Sequence, residues 1–396
     1  MPAKESHMKT ILIYLKHFLI VTCVIIAIGF VGIVSQHGHI GFGTDDLAYK
    51  VGGEGPHIFA NEDKLEALYI RGGREEGFYT EKLNLTMQKD TNLPVYLAFD
   101  DSTFNVQVSN NISIPESTYD DGENIIAISD LEGNYRAFRD FLIANNVIDK
   151  DLNWTFNKGH LVLVGDMVDR GYSTTQLLWL IYKLEQDAKS QGGLVHFIVG
   201  NHEIKNMQGN FRSAAPKYLP VAGILGKQQY DLFGPRAFLG QWLQSKNVIE
   251  RINGHLFVHG GLHPGIQEQG LNIDDVNRIV RQHYRQFYFP NAAHSESVTL
   301  LTSNKTGPAW YRGYFKDDLE QTRVDSTLKY LEAKAVIVGH TIQFKVRELF
   351  NRKVFAIDVK HPNDYSASFP IKRSEGLLIS KGEYYRLLDN GEKIQI

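Results

Sequence analysis

Leu161-Val162-Leu163-Val164 runs directly into Gly165-Asp166-Met167-Val168-Asp169-Arg170-Gly171, and Val195-His196-Phe197-Ile198-Val199 runs directly into Gly200-Asn201-His202-Glu203. A short, nearly continuous apolar run that stops at glycine reads as a buried strand. The same junction recurs three times. Ile125 to Ile128 leads into Ser129-Asp130-Leu131-Glu132-Gly133-Asn134, Leu256 to Val258 into His259-Gly260-Gly261, and Ala335 to Val338 into Gly339-His340-Thr341. Between these runs, residues 134 to 147 and 173 to 189 read as helices, the second stopped by Gly192-Gly193. The alternation predicts an α/β layered fold. From Asp130 to Asp166 is 36 residues and from Asp166 to Asn201 is 35, each the length of one strand-helix-strand crossover. Ligands of open α/β sheets bind beyond the carboxyl ends of the strands, so the five clusters are expected at one rim.

Taken singly, each cluster has an ordinary explanation. Gly-Asp after a strand is a turn, Asn-His-Glu is a helix cap, and His259 or His340 alone is a hydrogen-bonded structural histidine. Five clusters in the same register make a different case, because together they supply a metal-ligand set: Asp130, Glu132, Asp166, Asn201, His259 and His340. Mixed oxygen and imidazole donors suit Mn, Fe, Zn or Mg. One carboxylate shared by two ions roughly 3.5–4 Å apart makes a hydrolytic two-metal site, and Asp166, in the middle of the order, is the natural bridge.

These motifs resemble the calcineurin-like metallophosphoesterases. Residues 165 to 171 and 200 to 203 are similar to the phosphoprotein phosphatase branch. Residues 200 to 218, His259-Gly260-Gly261-Leu262-His263-Pro264 and Trp310-Tyr311-Arg312-Gly313 resemble the Shewanella-like protein phosphatases within it. The resemblance covers about Ile125 to Asp358. It implies the layered calcineurin-like sandwich, two divalent ions and a phosphate-ester substrate. Asp130 and Asp166 would hold the first ion, and Asp166, Asn201, His259 and His340 the second. His202 would be the general acid, paired with Asp169, and Arg170 and Arg312 would clamp phosphate oxygens, a geometry that guanidinium forks match. The chain departs from the family at Asp130-Leu131-Glu132, where the pattern is Asp-x-His. Glu132 is expected to ligate the first ion and to make that site harder and less positive. If the backbone stays extended, strand alternation puts Asp130 and Glu132 on one side. Alternative functions are hydrolysis of phosphodiesters or dinucleoside polyphosphates, and a degenerate envelope binding module. The Asp169, Arg170 and His202 set argues against the last, since a binder has no need of an acid dyad.

The amino terminus carries a separate signal. Apolar residues run from Phe18 to Val34 without a charge, about 26 Å of helix, at the short end for a bilayer core of roughly 30 Å. Lys4, Lys9 and Lys16 precede the run, and Asp45 and Asp46 follow it, which predicts a cytoplasmic N-terminus at 1–17, a signal anchor at 18–34, and a catalytic domain that is periplasmic or extracellular. Cleavage near Ala27-Ile28-Gly29 would instead release a secreted protein, and lipidation at Cys23 is a third reading. Residues 35–49 read as a linker and 50–118 as a small β-rich extension, with Leu65 to Ile70, Phe78 to Met87 and Leu93 to Phe99 as strands and Gly72-Gly73 and Asp100-Asp101 as turns. The polar link Pro115 to Asn124 then opens a metallophosphoesterase domain at 119–396.

Composition narrows the remaining classes. Of 396 residues 43% are hydrophobic and 22% charged, which excludes a wholly disordered chain. A net charge of −3 with no long basic tract offers no general attraction to nucleic acid. Cys23 is the only cysteine, so neither an intramolecular disulfide nor a cysteine zinc site can form.

Overall fold

The computed structural model describes residues 2–35, 40–43, 46–61, 64–85, 91–109, 112–286, 293–316, 319–369 and 371–396. The end of the expected strand at Met87, and parts of the expected linker, lie outside these residues. The chain divides into two units, residues 1–43 with 366–372, and residues 44–365 with 373–396.

The smaller unit holds one helix, Pro2–Ser35, and a strand, Ile40–Gly43, paired antiparallel with Ser366–Phe369. Part of the expected linker is therefore strand. Within the helix, Lys9–Gly32 has a mean hydropathy of 2.5 and none of it is buried. At 1.5 Å per residue this stretch is about 36 Å long, enough to cross a bilayer core. The helix gains this length over the Phe18 to Val34 run by continuing through Ile11 to Leu15, with Lys16 able to extend its amine towards an interface.

The larger unit is built on two six-stranded sheets. One runs in the order Leu194–Ile198, His160–Val164, Ile125–Ile128, Glu375–Ser380, Glu383–Leu388, Lys393–Gln395. Its first three strands are parallel and the last three are added antiparallel. The other runs Arg347–Leu349, Val354–Ala356, Ala335–Val338, His255–Val258, Ile249–Ile252, Thr118–Tyr119. Side chains alternate across each strand. Ile125, Ala127, Val162 and Val164 of the first sheet share a cluster with Phe257, Ala335, Ile337 and Phe355 of the second. Ile126, Ile128, Leu161 and Leu163 belong to the large cluster that also takes Phe138, Phe141, Leu177 and Ile181 from the helices Tyr135–Ala144 and Thr174–Ser190. Each central strand is thus buried on both faces, which is why it reads as an unbroken apolar run. The five clusters come from two sheets, three from the first and two from the second. The domain start expected at 119 falls within the two-residue strand Thr118–Tyr119.

The extension forms three antiparallel strands, His57–Asn61, Lys64–Gly73 and Gly77–Leu85, and a hairpin, Thr91–Leu97 with Ser102–Val108. In the hairpin Leu93, Val95, Leu97, Phe104, Val106 and Val108 are buried in the same cluster as the helices Tyr135–Ala144 and Thr174–Ser190. Phe104 stacks on Tyr135 at 5.9 Å between centroids. Glu54 fixes the joint. It is 1% exposed, pairs with Lys217 at 2.8 Å and His57 at 3.2 Å, and accepts from Thr175 and Gln176.

Candidate metal centre and active site

The chain turns sharply beyond the strands that end at Ile128, Val164 and Val338. Asp130, Glu132, Asp166, Asp169, Arg170 and His340 all have positive φ, a conformation that is costly for side-chain-bearing residues and concentrates at functional sites. Backbone hydrogen bonds lace the loops together: Asp130 N–H donates to Gly165 O at 3.0 Å, Glu132 N–H to Asp166 O at 2.9 Å and Gly171 N–H to Glu132 O at 2.8 Å. The buried Glu203 carboxylate accepts from four amides, those of Asp166, Met167, Val168 and Gly200. The second sheet closes the ring, since His340 N–H donates to Asp130 Oδ2 at 3.1 Å.

Asp166, His259 and His340 offer ligand atoms that all lie within 4.8 Å of one another. One end of the Asn201 amide points at the same place, 3.0 Å from His259 Nε2, 3.2 Å from Asp166 Oδ2 and 2.9 Å from His340 Nδ1. His259 Nδ1 lies 2.8 Å from Val164 O. An N–H there donates to that carbonyl and leaves Nε2 free as a ligand. The charges describe the same place. Burial works against ionising Asp166, but the imidazoles of His259 and then His202 hold its carboxyl below the ordinary range. Burial likewise opposes charge on His259, and the carboxylates of Asp166 and Asp130 outweigh it, pushing it up to about 10. A proton on His259 thus supplies positive charge where a cation fits, and this donor set suits a divalent ion.

Asp130 sits beside this group. Its carboxyl is raised to about 6 by burial and by Asp166, against the pull of His259. Glu132 is placed differently from the expectation's premise. The backbone is left-handed at both Asp130 and Glu132, so strand alternation does not apply, and Glu132 Oε1 pairs with Arg170 Nη1. Arg312 lies across the site, its Nη1 donating to His340 O at 2.6 Å and Thr341 Oγ1 at 2.8 Å.

His202 and Asp169 form a buried dyad with Nδ1 to Oδ2 at 2.6 Å. Asn206 donates to the other oxygen of Asp169 at 2.7 Å, which fixes the carboxylate. His202 N–H donates to Asp166 Oδ1 at 2.9 Å, and His202 Nε2 lies 3.7 Å from Asp166 Oδ2, so the distal nitrogen faces the metal ligands.

Two further groups carry no role in the sequence reading. Asp358 lies two residues beyond the buried strand Val354–Ala356, a strand-end position like those of the other five junctions but without their glycine. Its carboxyl is raised well above the ordinary range by burial and then by Asp130. Lys205, one turn beyond His202 on the helix Asn201–Met207, sets Nζ 3.5 Å from His202 Nε2.

A convergent oxygen and imidazole donor set, a buried His–Asp dyad and two arginines at the ends of two facing sheets define the class of metal-dependent phosphoesterases. The chain belongs to the calcineurin-like phosphoesterases: the model of the family Calcineurin-like phosphoesterase matches residues 123–344. It is 25% identical over 331 residues to Shewanella-like protein phosphatase 2 of Arabidopsis thaliana, covering 68% of this chain and 81% of that one. It is 26% identical over 245 residues to Shewanella-like protein phosphatase 1 of Plasmodium berghei (strain Anka), covering 59% and 66%. Among solved structures, the cold-active protein-tyrosine phosphatase of a psychrophile Shewanella sp. superposes with a TM-score of 0.76 at 28% identity, covering 86% of this chain and 98% of that one. The protein is a metallophosphoesterase, a hydrolase of phosphoric esters, in a family that uses divalent metal ions.

Proposed function

We propose that this protein is a phosphomonoesterase of the protein-phosphatase type, anchored in a membrane by its amino-terminal helix with the catalytic unit on the periplasmic or extracellular side. The observation that carries the catalytic reading is the buried His202–Asp169 dyad, at 2.6 Å, beside the Asp166, Asn201, His259 and His340 cluster. Two divalent ions, when bound, supply Lewis acidity and a nucleophile at neutral pH. Asp130 and Asp166 would hold the first. Asp166, Asn201, His259 and His340 would hold the second. Glu132 would add its carboxylate to the residues holding the first ion, and its pairing with Arg170 would tie that site to a phosphate clamp.

Asp169 holds the His202 ring by Nδ1 and leaves Nε2 to give its proton to the departing oxygen. Arg170 and Arg312, on opposite loops, receive the phosphate oxygens. The names of the Arabidopsis and Plasmodium relatives and of the Shewanella structure favour a phosphoprotein substrate. Turnover of an aryl monophosphate, a bis-aryl phosphodiester and a phosphotyrosine peptide by the purified catalytic unit with Mn, Zn or Fe tests this reading. Both monoesters are expected to turn over well above the diester; a preference for the diester would contradict it. The topology rests on Lys4, Lys9 and Lys16 before the apolar run. A carboxyl-terminal reporter active only in the cytoplasm would contradict it.

A further inference from the structure

Lys205 is half-buried and its ammonium is surrounded by groups that stop accepting hydrogen bonds once the site is assembled for catalysis. Its three neighbours are the Asn201 amide at 2.9 Å, His202 Nε2 at 3.5 Å, and the Trp310 ring, whose centroid is 5.2 Å away. If Asn201 turns its oxygen to a metal, the end left facing Lys205 is the NH2 group, a donor. If His202 carries the proton it gives to the leaving oxygen, Nε2 is a donor as well. Only the ring face remains, and among the described residues no carboxylate lies within ion-pair distance of Nζ. An ammonium offers three donors and accepts nothing, so this arrangement calls for an anionic acceptor placed between His202 and the metal cluster.

The charges around the site point the same way. Arg170 is engaged by Glu132, so part of its charge is already matched. Arg312 is tied to a backbone carbonyl and a hydroxyl. Lys205 adds positive charge on the wall that carries the acid, attracted by the carboxylates of Asp166 and Asp169 but, among the described residues, with no ion pair to either. We propose that Lys205 is a third phosphate-binding cation, donating to a phosphoryl oxygen of the substrate and making up for the share of Arg170 that Glu132 holds. This rests on the phosphomonoesterase reading with His202 as the acid.

The test is calorimetric titration of inorganic phosphate into the manganese-loaded protein, wild type against Lys205→Met and Lys205→Arg, with metal content measured on each. Lys205→Met is expected to weaken phosphate binding about tenfold or more, the scale of one charge-assisted hydrogen bond, with metal content unchanged. Lys205→Arg should recover most of the loss. On aryl monophosphates, kcat/KM of Lys205→Met should fall by a similar factor for good and poor leaving groups alike, because the contact is to the phosphoryl group. If Lys205→Met binds phosphate within twofold of a wild type that is itself active, this inference falls and the phosphomonoesterase reading stands. If the wild type neither binds phosphate nor hydrolyses monoesters, both fall.

Discussion

Gly165 is where the central parallel strand turns into the loop that carries Asp166, and Gly165→Ala tests how tightly that turn is built. Its φ is +79°, and a Cβ there would lie 2.5 Å from His259 Nδ1, 2.7 Å from His259 Cγ and 2.8 Å from Gly200 Cα. One neighbour is the imidazole held by Val164 O, and the other is backbone, so neither can yield without cost. Left-handed backbone costs an alanine about 1–2 kcal/mol. Relieving the clash by moving His259 forfeits its bond to Val164 O, about 0.5–1.5 kcal/mol. The sum, about 1.5–3.5 kcal/mol, lowers the melting temperature by roughly 2–5 °C for a unit of this size. Displacing His259 also breaks the set it forms with Asp166 and Asn201, so affinity for the second ion should fall by about 10–100-fold, the scale for lost outer-shell support. Thermal unfolding of the metal-free protein separates the first effect, and metal analysis at fixed free manganese separates the second. A Gly165→Ala protein that melts with wild type and loads the same metal would refute this account of the turn.

Three more outcomes follow from the same geometry. His202→Asn should lower kcat by roughly 10²–10⁴, the scale of general acid catalysis, at unchanged metal content, and full turnover on a poor leaving group would remove His202 from that role. Glu132→Ala should lose about one metal per chain and most activity, whereas Glu132→His should restore binding with a shifted metal preference; two metals and wild-type rates in Glu132→Ala would make the residue a bystander. Glu54→Gln leaves Lys217 buried without its partner and should cost about 3–5 kcal/mol near pH 7. Burial alone would raise the Glu54 carboxyl, but Lys217 and His57 hold it well below the ordinary range. Its contribution is therefore complete above the unfolded carboxyl value of about 4.3 and is lost as pH falls below it. The gap between wild type and variant melting temperatures should be constant above about pH 5 and narrow progressively below it, staying partly open at about pH 3 because the folded-state carboxyl is held well below the ordinary range; a gap that does not change with pH would contradict the ion pair.

The parts of the fold legible in the sequence are those buried on two faces. Ile125–Ile128 and Ala335–Val338 span the expected residues, because a strand packed on both sides carries no polar residue to blur its ends. The carboxyl-terminal strands were not legible for the opposite reason. Glu383–Leu388 reads Glu-Tyr-Tyr-Arg-Leu-Leu and is half exposed along most of its length, so no apolar run marks it. Sheet membership has no local signature either: Leu256 and Leu161 sit in equally apolar runs, yet their strands lie in different sheets. Among site residues, Asp358 lies two residues beyond Val354–Ala356, but no glycine ends that run, so it lacks the Gly-Asp or Gly-His junction that marks the others. Lys205 had no such signal, since a lysine on a short helix reads as a solvated one until the fold lays its ammonium beside His202. The extension reads as an appendage from its β-rich texture, whereas its buried hairpin residues and the contact of Glu54 with Lys217 show that it shares the main core.

The central claim is that Asp166, Asn201, His259 and His340 hold an ion without which the His202–Asp169 dyad has nothing to work on. The most direct measurement is phosphate release from an aryl monophosphate by the purified catalytic unit, before and after chelation and again after adding back manganese, zinc or iron. The account predicts that chelation abolishes release and that at least one of these ions restores it. Undiminished release in the chelated protein, or no release with any ion, would contradict it.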